Sequence, residues 1–105
     1  MADLREQLIK RLESLGVEHR PFPGRDDGFA SLFYAGKDFA HFHNDGELDL
    51  RLTRAVIKRE GLAHPKDSTV HPNRSKNSQW IEVRFTTRQD LERVVHLVQL
   101  AIDQL

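Results

Sequence analysis

Two histidines, His41 and His43, and two carboxylates, Glu47 and Asp49, occupy alternate positions on either side of Asn44-Asp45-Gly46. Alternate positions on a strand share a face, so a hairpin here sets imidazoles beside carboxylates. A neighbouring carboxylate fixes an imidazole's tautomer and raises its pKa, which suits acid/base work by His41 oriented by Asp49. Two imidazoles on one side also begin a zinc site, which would need a third ligand such as His64 or His71. No metal-ligand spacing accompanies them, and no nucleophile-elbow pattern surrounds Ser75 or Ser78. The expectation is therefore no metal, no cofactor and no assigned catalytic residue. Ordinary cross-strand pairs on a solvated face, at about 0.2 to 1 kcal/mol each, are the commoner role for such residues.

Two further groups could converge on the histidines. Arg74-Ser75-Lys76-Asn77-Ser78 brings two cations and small hydrogen-bonding side chains to the start of a strand. That composition suits a phosphate or carboxylate, although the glycines of a phosphate-binding loop are missing. With Arg51, Arg54, Lys58 and Arg84 it makes a positive surface. Trp80 shares its side of an alternating strand with Glu82 and Arg84, opposite Ile81, Val83 and Phe85. The indole either lies under the first helix or projects from the face without the core, where it could stack on a planar ligand.

These residues are positioned by elements that the hydrophobic pattern outlines. Leu4, Leu8, Ile9, Leu12 and Leu15 give an amphipathic helix from Asp3, its cap, to Gly16, its stop. Val17 to Phe22, with Pro21 and Pro23, reads as an edge strand. Phe29 to Ala35 reads as a strand of ambiguous register ending in a turn at Gly36-Lys37-Asp38. The next pair, Phe39 to His43 and Glu47 to Leu52, is decided by loop length. A two-residue turn sets Phe42 against an acid, whereas the three-residue loop Asn44-Asp45-Gly46 sets Phe42 opposite Leu48 and Ala40 opposite Leu50. In that register His43 faces Glu47, His41 faces Asp49 and Phe39 faces Arg51, with Gly46 in the left-handed position of a bulged turn. Thr53 caps a short basic helix through Glu60 that lies over a sheet edge. Leu62 to Asn77 is a long irregular loop, Ser78 to Phe85 a strand, and Thr87 opens a helix to Leu105 with a broad apolar stripe. The fold class is α+β: an antiparallel or mixed sheet of about four to five strands with an N-terminal, a short middle and a long C-terminal helix.

Composition bounds the rest. The 105 residues suit one domain, 1–105. No cysteine is present, which removes disulfides, thiolate nucleophiles and Cys-ligated zinc. No apolar run is long enough for a membrane span, and the acidic N-terminus is unlike a signal peptide, so no membrane association and a cytoplasmic location are expected. Sixteen basic and sixteen acidic residues cancel. Locally, residues 51–84 hold eight Lys/Arg and three Asp/Glu, a net +5, which keeps nucleic acid as an alternative partner. A sequence pI near 7.0 disfavours it.

The stretch from His41 to Leu52, followed by His71-Pro72-Asn73-Arg74-Ser75-Lys76-Asn77-Ser78-Gln79-Trp80-Ile81-Glu82-Val83, resembles a family of small bacterial proteins described as a luciferase-like domain. The likeness runs from about Val17 to Ala101, and it implies the α+β fold but no catalytic residues. A looser similarity of layout links the chain to the MmcQ/YjbR-like proteins, and that similarity implies nucleic-acid binding. From the residues themselves we expect a small ligand-binding domain for an anionic or planar molecule. The surface would be formed by His41, His43, Asp49, Arg51, Arg74, Lys76 and Trp80. A nucleic-acid-binding domain and a small enzyme using a His-Asp pair are the alternatives, and a protein partner is left unassigned.

Overall fold

A computed structural model describes residues 3–22, 24, 28–44, 46–63 and 78–105. Chain order gives α1 (Leu4–Glu13), β1 (Glu18–Pro21), β2 (Ala30–Tyr34), β3 (Lys37–Phe42), β4 (Glu47–Arg51), α2 (Arg54–Arg59), β5 (Trp80–Arg84) and α3 (Arg88–Ile102). The sheet order is β1-β2-β3-β4-β5 with every neighbouring pair antiparallel. This is the α+β architecture the sequence predicts, with the choice between antiparallel and mixed resolved.

The helices begin and end where side chains satisfy free backbone groups. Asp3 accepts from Glu6 N at 2.8 Å, Thr53 from Val56 N at 3.3 Å, and Thr87 and Asp90 close a reciprocal capping box on α3. Gly16 follows α1 with φ +96°, and a Cβ there would meet the Tyr34 ring at 3.3 Å. Leu8 and Leu12 of α1, Val56 of α2, and Leu91, Val94, Leu97, Val98 and Ala101 of α3 join one core with Ala30, Leu32, Ala40, Phe42, Leu48, Leu50, Ile81 and Val83. Strand parity places all those sheet residues on one face. Among the described residues, the helices bury their apolar stripes on that face alone.

The register of β3 and β4 is the expected one: Ala40↔Leu50, His41↔Asp49 and Phe42↔Leu48. Three details differ from expectation. The turn before β3 is Ala35-Gly36, both at positive φ (52° and 80°), so Lys37 and Asp38 already belong to the strand. Gly46 is not in the left-handed region. Its loop is closed instead by Asn44, whose Oδ1 accepts from Gly46 N at 2.8 Å while its Nδ2 donates to Glu47 Oε1 at 2.8 Å.

The third difference concerns Phe39. Pairing of β2 with β3 runs Tyr34↔Lys37 and Phe33↔Asp38, then Leu32↔Ala40, Ser31↔His41 and Ala30↔Phe42. Phe39 is therefore an extra residue, a β-bulge. It does not face Arg51; it is fully buried in the core together with Ala40. The extra residue also switches parity, which puts Asp38 on the same face as His41 and turns Phe29 and Ser31 to that face as well.

Candidate functional site

Parity collects on the face opposite the core Arg20 of β1 and Phe22 just beyond it, Phe29, Ser31 and Phe33 along β2, Asp38, His41 and His43 along β3, Glu47, Asp49 and Arg51 on β4, and Trp80, Glu82 and Arg84 on β5. His41, His43, Asp49, Arg51 and Trp80 thus share one side of the sheet, as the sequence predicts. Arg74 and Lys76, and the third-ligand candidates His64 and His71, lie outside the described residues. Ser31, Asp49 and Glu82 are buried although this face carries no helix among the described residues.

Aromatic rings cover the middle of the face. Trp80 is not under α1: its indole stacks on His41 with centroids 5.2 Å apart and planes 8° from parallel. His41 stacks on Phe29 from its other side, at 5.6 Å and 23°. Phe29 in turn meets Phe22 edge-on at 5.0 Å, and His43 lies 5.6 Å from Phe29. β3 and β5 are two strand spacings apart, about 9.6 Å, so the His41 and Trp80 rings must lean toward each other over β4, where Asp49 sits. The result is a row, Phe22–Phe29–His41–Trp80, running across the sheet from β1 to β5. Phe22 is 45% exposed, the most exposed large apolar residue described.

Neither histidine meets the carboxylate directly across: His41 takes one on its own strand and His43 one diagonally across on β4. His41 Nε2 lies 2.9 Å from Asp38 Oδ1, the residue the bulge brings to its face. His43 Nε2 lies 3.7 Å from Asp49 Oδ2. The expected side-chain pairs His41–Asp49 and His43–Glu47 are therefore replaced: the bulge brings Asp38 within reach of His41 on the same strand, and His43 reaches the j+2 neighbour Asp49 across the ladder. An acid/base role would now attach to His43 and Asp49.

Glu47 belongs to a separate group. Burial pushes its carboxyl up, but hydrogen bonds from Asn44, Glu82 and Arg84 and the Arg84 charge outweigh this and hold it below the ordinary carboxylate value. Arg84 Nε is 3.5 Å from Glu47 Oε2, and its Nη2 is 3.9 Å from Glu82 Oε2. Among the described residues, no cluster of three His, Cys, Asp or Glu has the arrangement to hold a metal ion.

The family model described as "Luciferase domain" matches residues 36–101. The chain belongs to this luciferase-domain family. Its matched span begins at the β2–β3 turn and ends in α3, so it contains His41, His43, Asp49 and Trp80 but not Phe22 or Phe29. Neither a curated protein nor a solved structure matches the chain significantly. No helix among the described residues is long and apolar enough to cross a membrane.

Phe22, Phe29, Asp38 and Glu82 are site neighbours that sequence reasoning does not select. The ambiguous register of β2 hides Phe29. Counting back from the Ala35-Gly36 turn without the bulge even places it on the core face.

Proposed function

We propose that this luciferase-family domain binds a small planar molecule on the sheet face carrying Phe29, His41 and Trp80, with His43 and Asp49 offering polar recognition beside the rings. The stacking of His41 with Trp80 supports this reading most strongly. Those rings stand on the side of the sheet away from the core, so packing of the core does not require them there. Among the described residues β5 is the last strand of the sheet, and no further strand flanks the outer side of Trp80. A flat ligand could continue the stack on that side. Base–aromatic stacking of this kind is worth about 1 to 3 kcal/mol per ring pair.

The anionic half of the expectation rests on Arg51, Arg74 and Lys76, of which only Arg51 is described. The reading stops at binding: luciferase in the family's description names an oxidative activity, and no residue of this face has a role assigned in one.

Trp80 is the only tryptophan of the chain, so its fluorescence reports the site directly. Titration with quinoxaline and lumichrome should give saturable quenching, weakened about tenfold or more in His41→Ala and in Phe29→Leu. Non-saturating quenching of equal slope in all three proteins would contradict the proposal.

A further inference from the structure

The end of the sheet near the β2–β3 turn holds a cavity of about 340 Å³ lined by Lys37, Arg51, Thr53, Gln79, Ala101, Gln104 and Leu105. Its size is at the lower end of the range for small-molecule sites. Neither His41 nor Trp80 lines it, and Arg51, which stands across from Trp80, is the one residue it shares with the ring face.

Among the described residues four chain segments line this cavity, and hydrogen bonds tie three of them together. The Ala35-Gly36 turn sets Lys37 at the first position of β3, and Arg51 is the last residue of β4. Leu52 N donates to Gln79 O at 2.8 Å, joining the end of β4 to the approach to β5. Gln104 accepts from Thr53 N at 3.2 Å and donates to Leu100 O at 3.0 Å, fixing the last turn of α3 against the start of α2. The frame is thus held by one main-chain hydrogen bond and the Gln104 side-chain amide rather than by the cations.

Among the described residues the polar lining has one sign: Lys37 and Arg51 bring two positive charges, and no Asp or Glu side chain lines the cavity. Neither cation has an ion-pair partner among the described residues. Thr53 Oγ1 accepts from Val56 N, which leaves its hydroxyl proton to donate elsewhere, and the Gln79 amide adds a donor. The carbonyl end of α3 opposes an anion with roughly half a charge, which two full cations outweigh. Arginine grips a carboxylate or phosphate in a two-point fork, and lysine adds a point charge.

We propose that this cavity binds the oxyanion group of a small metabolite, a carboxylate or a phosphate, between Lys37 and Arg51. The test is a titration of the ¹⁵N-labelled protein with inorganic phosphate and, separately, with succinate, at ionic strength held constant with chloride so that general screening is unchanged. Saturable amide shifts centred on Lys37, Arg51, Thr53 and Gln79 are expected with at least one probe, and which probe saturates identifies the oxyanion. Lys37→Gln and Arg51→Gln should each weaken binding about tenfold, the loss expected for one charge-assisted hydrogen bond, while Arg51→Lys retains most of it. Both positions are exposed, so the melting temperatures should be unchanged, and either single variant decides the matter if the double variant is unstable. Shifts that stay linear in both probes, or that are equal in wild type and both charge-removing variants, would overturn the proposal.

Discussion

If His41 and Trp80 meet over β4, their energies must couple, and a double-mutant cycle measures that coupling. Trp80 is about half-buried and sits on an edge strand, so Trp80→Ala should cost roughly half of the ~3 to 5 kcal/mol of a fully buried aromatic, about 2 kcal/mol. In a chain of this length, that lowers the melting temperature by on the order of 10 °C. His41→Ala removes the same contact and the ring's stack on Phe29, so the double variant should lose less than the sum. The shortfall should be about 0.5 to 1.5 kcal/mol, the value of an aromatic pair beyond its buried area. Urea unfolding followed by circular dichroism at 222 nm is the assay, because Trp80→Ala removes the only indole. His96→Ala is the control: His96 contacts Glu60 at 3.1 Å on the helical side, and it should add to Trp80→Ala without coupling. A His41–Trp80 coupling below about 0.3 kcal/mol, the scatter of independent sites, would refute the placement of the two rings.

Gly46→Ala should be nearly neutral, since its φ is ordinary and the nearest atoms to an added Cβ are at 3.8 and 3.9 Å. Gly36→Ala, at φ +80°, should cost about 1 kcal/mol or more by urea unfolding; the opposite ranking would show that the hairpin loops are misassigned. Burial and the Arg5 charge lower the pKa of His19, so the unfolded chain takes up the proton first, and this residue's contribution to stability is full above its unfolded value and declines as pH falls through it. His19→Phe should therefore narrow the gap between melting temperatures at pH 7.5 and pH 5.5, while keeping the edge contact to Phe42; an unchanged gap would mean His19 is not the group responsible. Glu82→Gln keeps the size of the buried side chain and supplies an amide donor beside Glu47, so it should leave stability within about 0.5 kcal/mol of wild type, and a loss of several kcal/mol would show that Glu82 is needed as a carboxylate.

Much of the fold is legible because independent signals coincide. The β3–β4 register follows from Phe42, Leu48, Ala40 and Leu50, since a two-residue turn would set Phe42 against an acid. The ends of α1 and α3 follow from Asp3, Gly16 and Thr87. That parity then places His41, Asp49 and Trp80 on a common side. The bulge at Phe39 leaves no mark in the pattern, because Phe39 beside Ala40 and Phe42 reads equally well as strand alternation or as an inserted core residue. The facing of Phe29 and the Asp38–His41 contact depend on that bulge and are hidden with it. The histidine partners differ from expectation for another reason: register fixes which Cα atoms are opposite, whereas rotamers decide which side chains touch. The buried state of Glu82 depends on Glu47 and Arg84 together, which no spacing along one strand reveals.

The most direct test of the ring row as a binding surface is an intermolecular NOE experiment with quinoxaline on the labelled protein. Contacts from the probe to ring protons of Trp80, His41 and Phe29 are predicted. Contacts confined to the methyl groups of α1 and α3, with the indole signals unmoved, would contradict it.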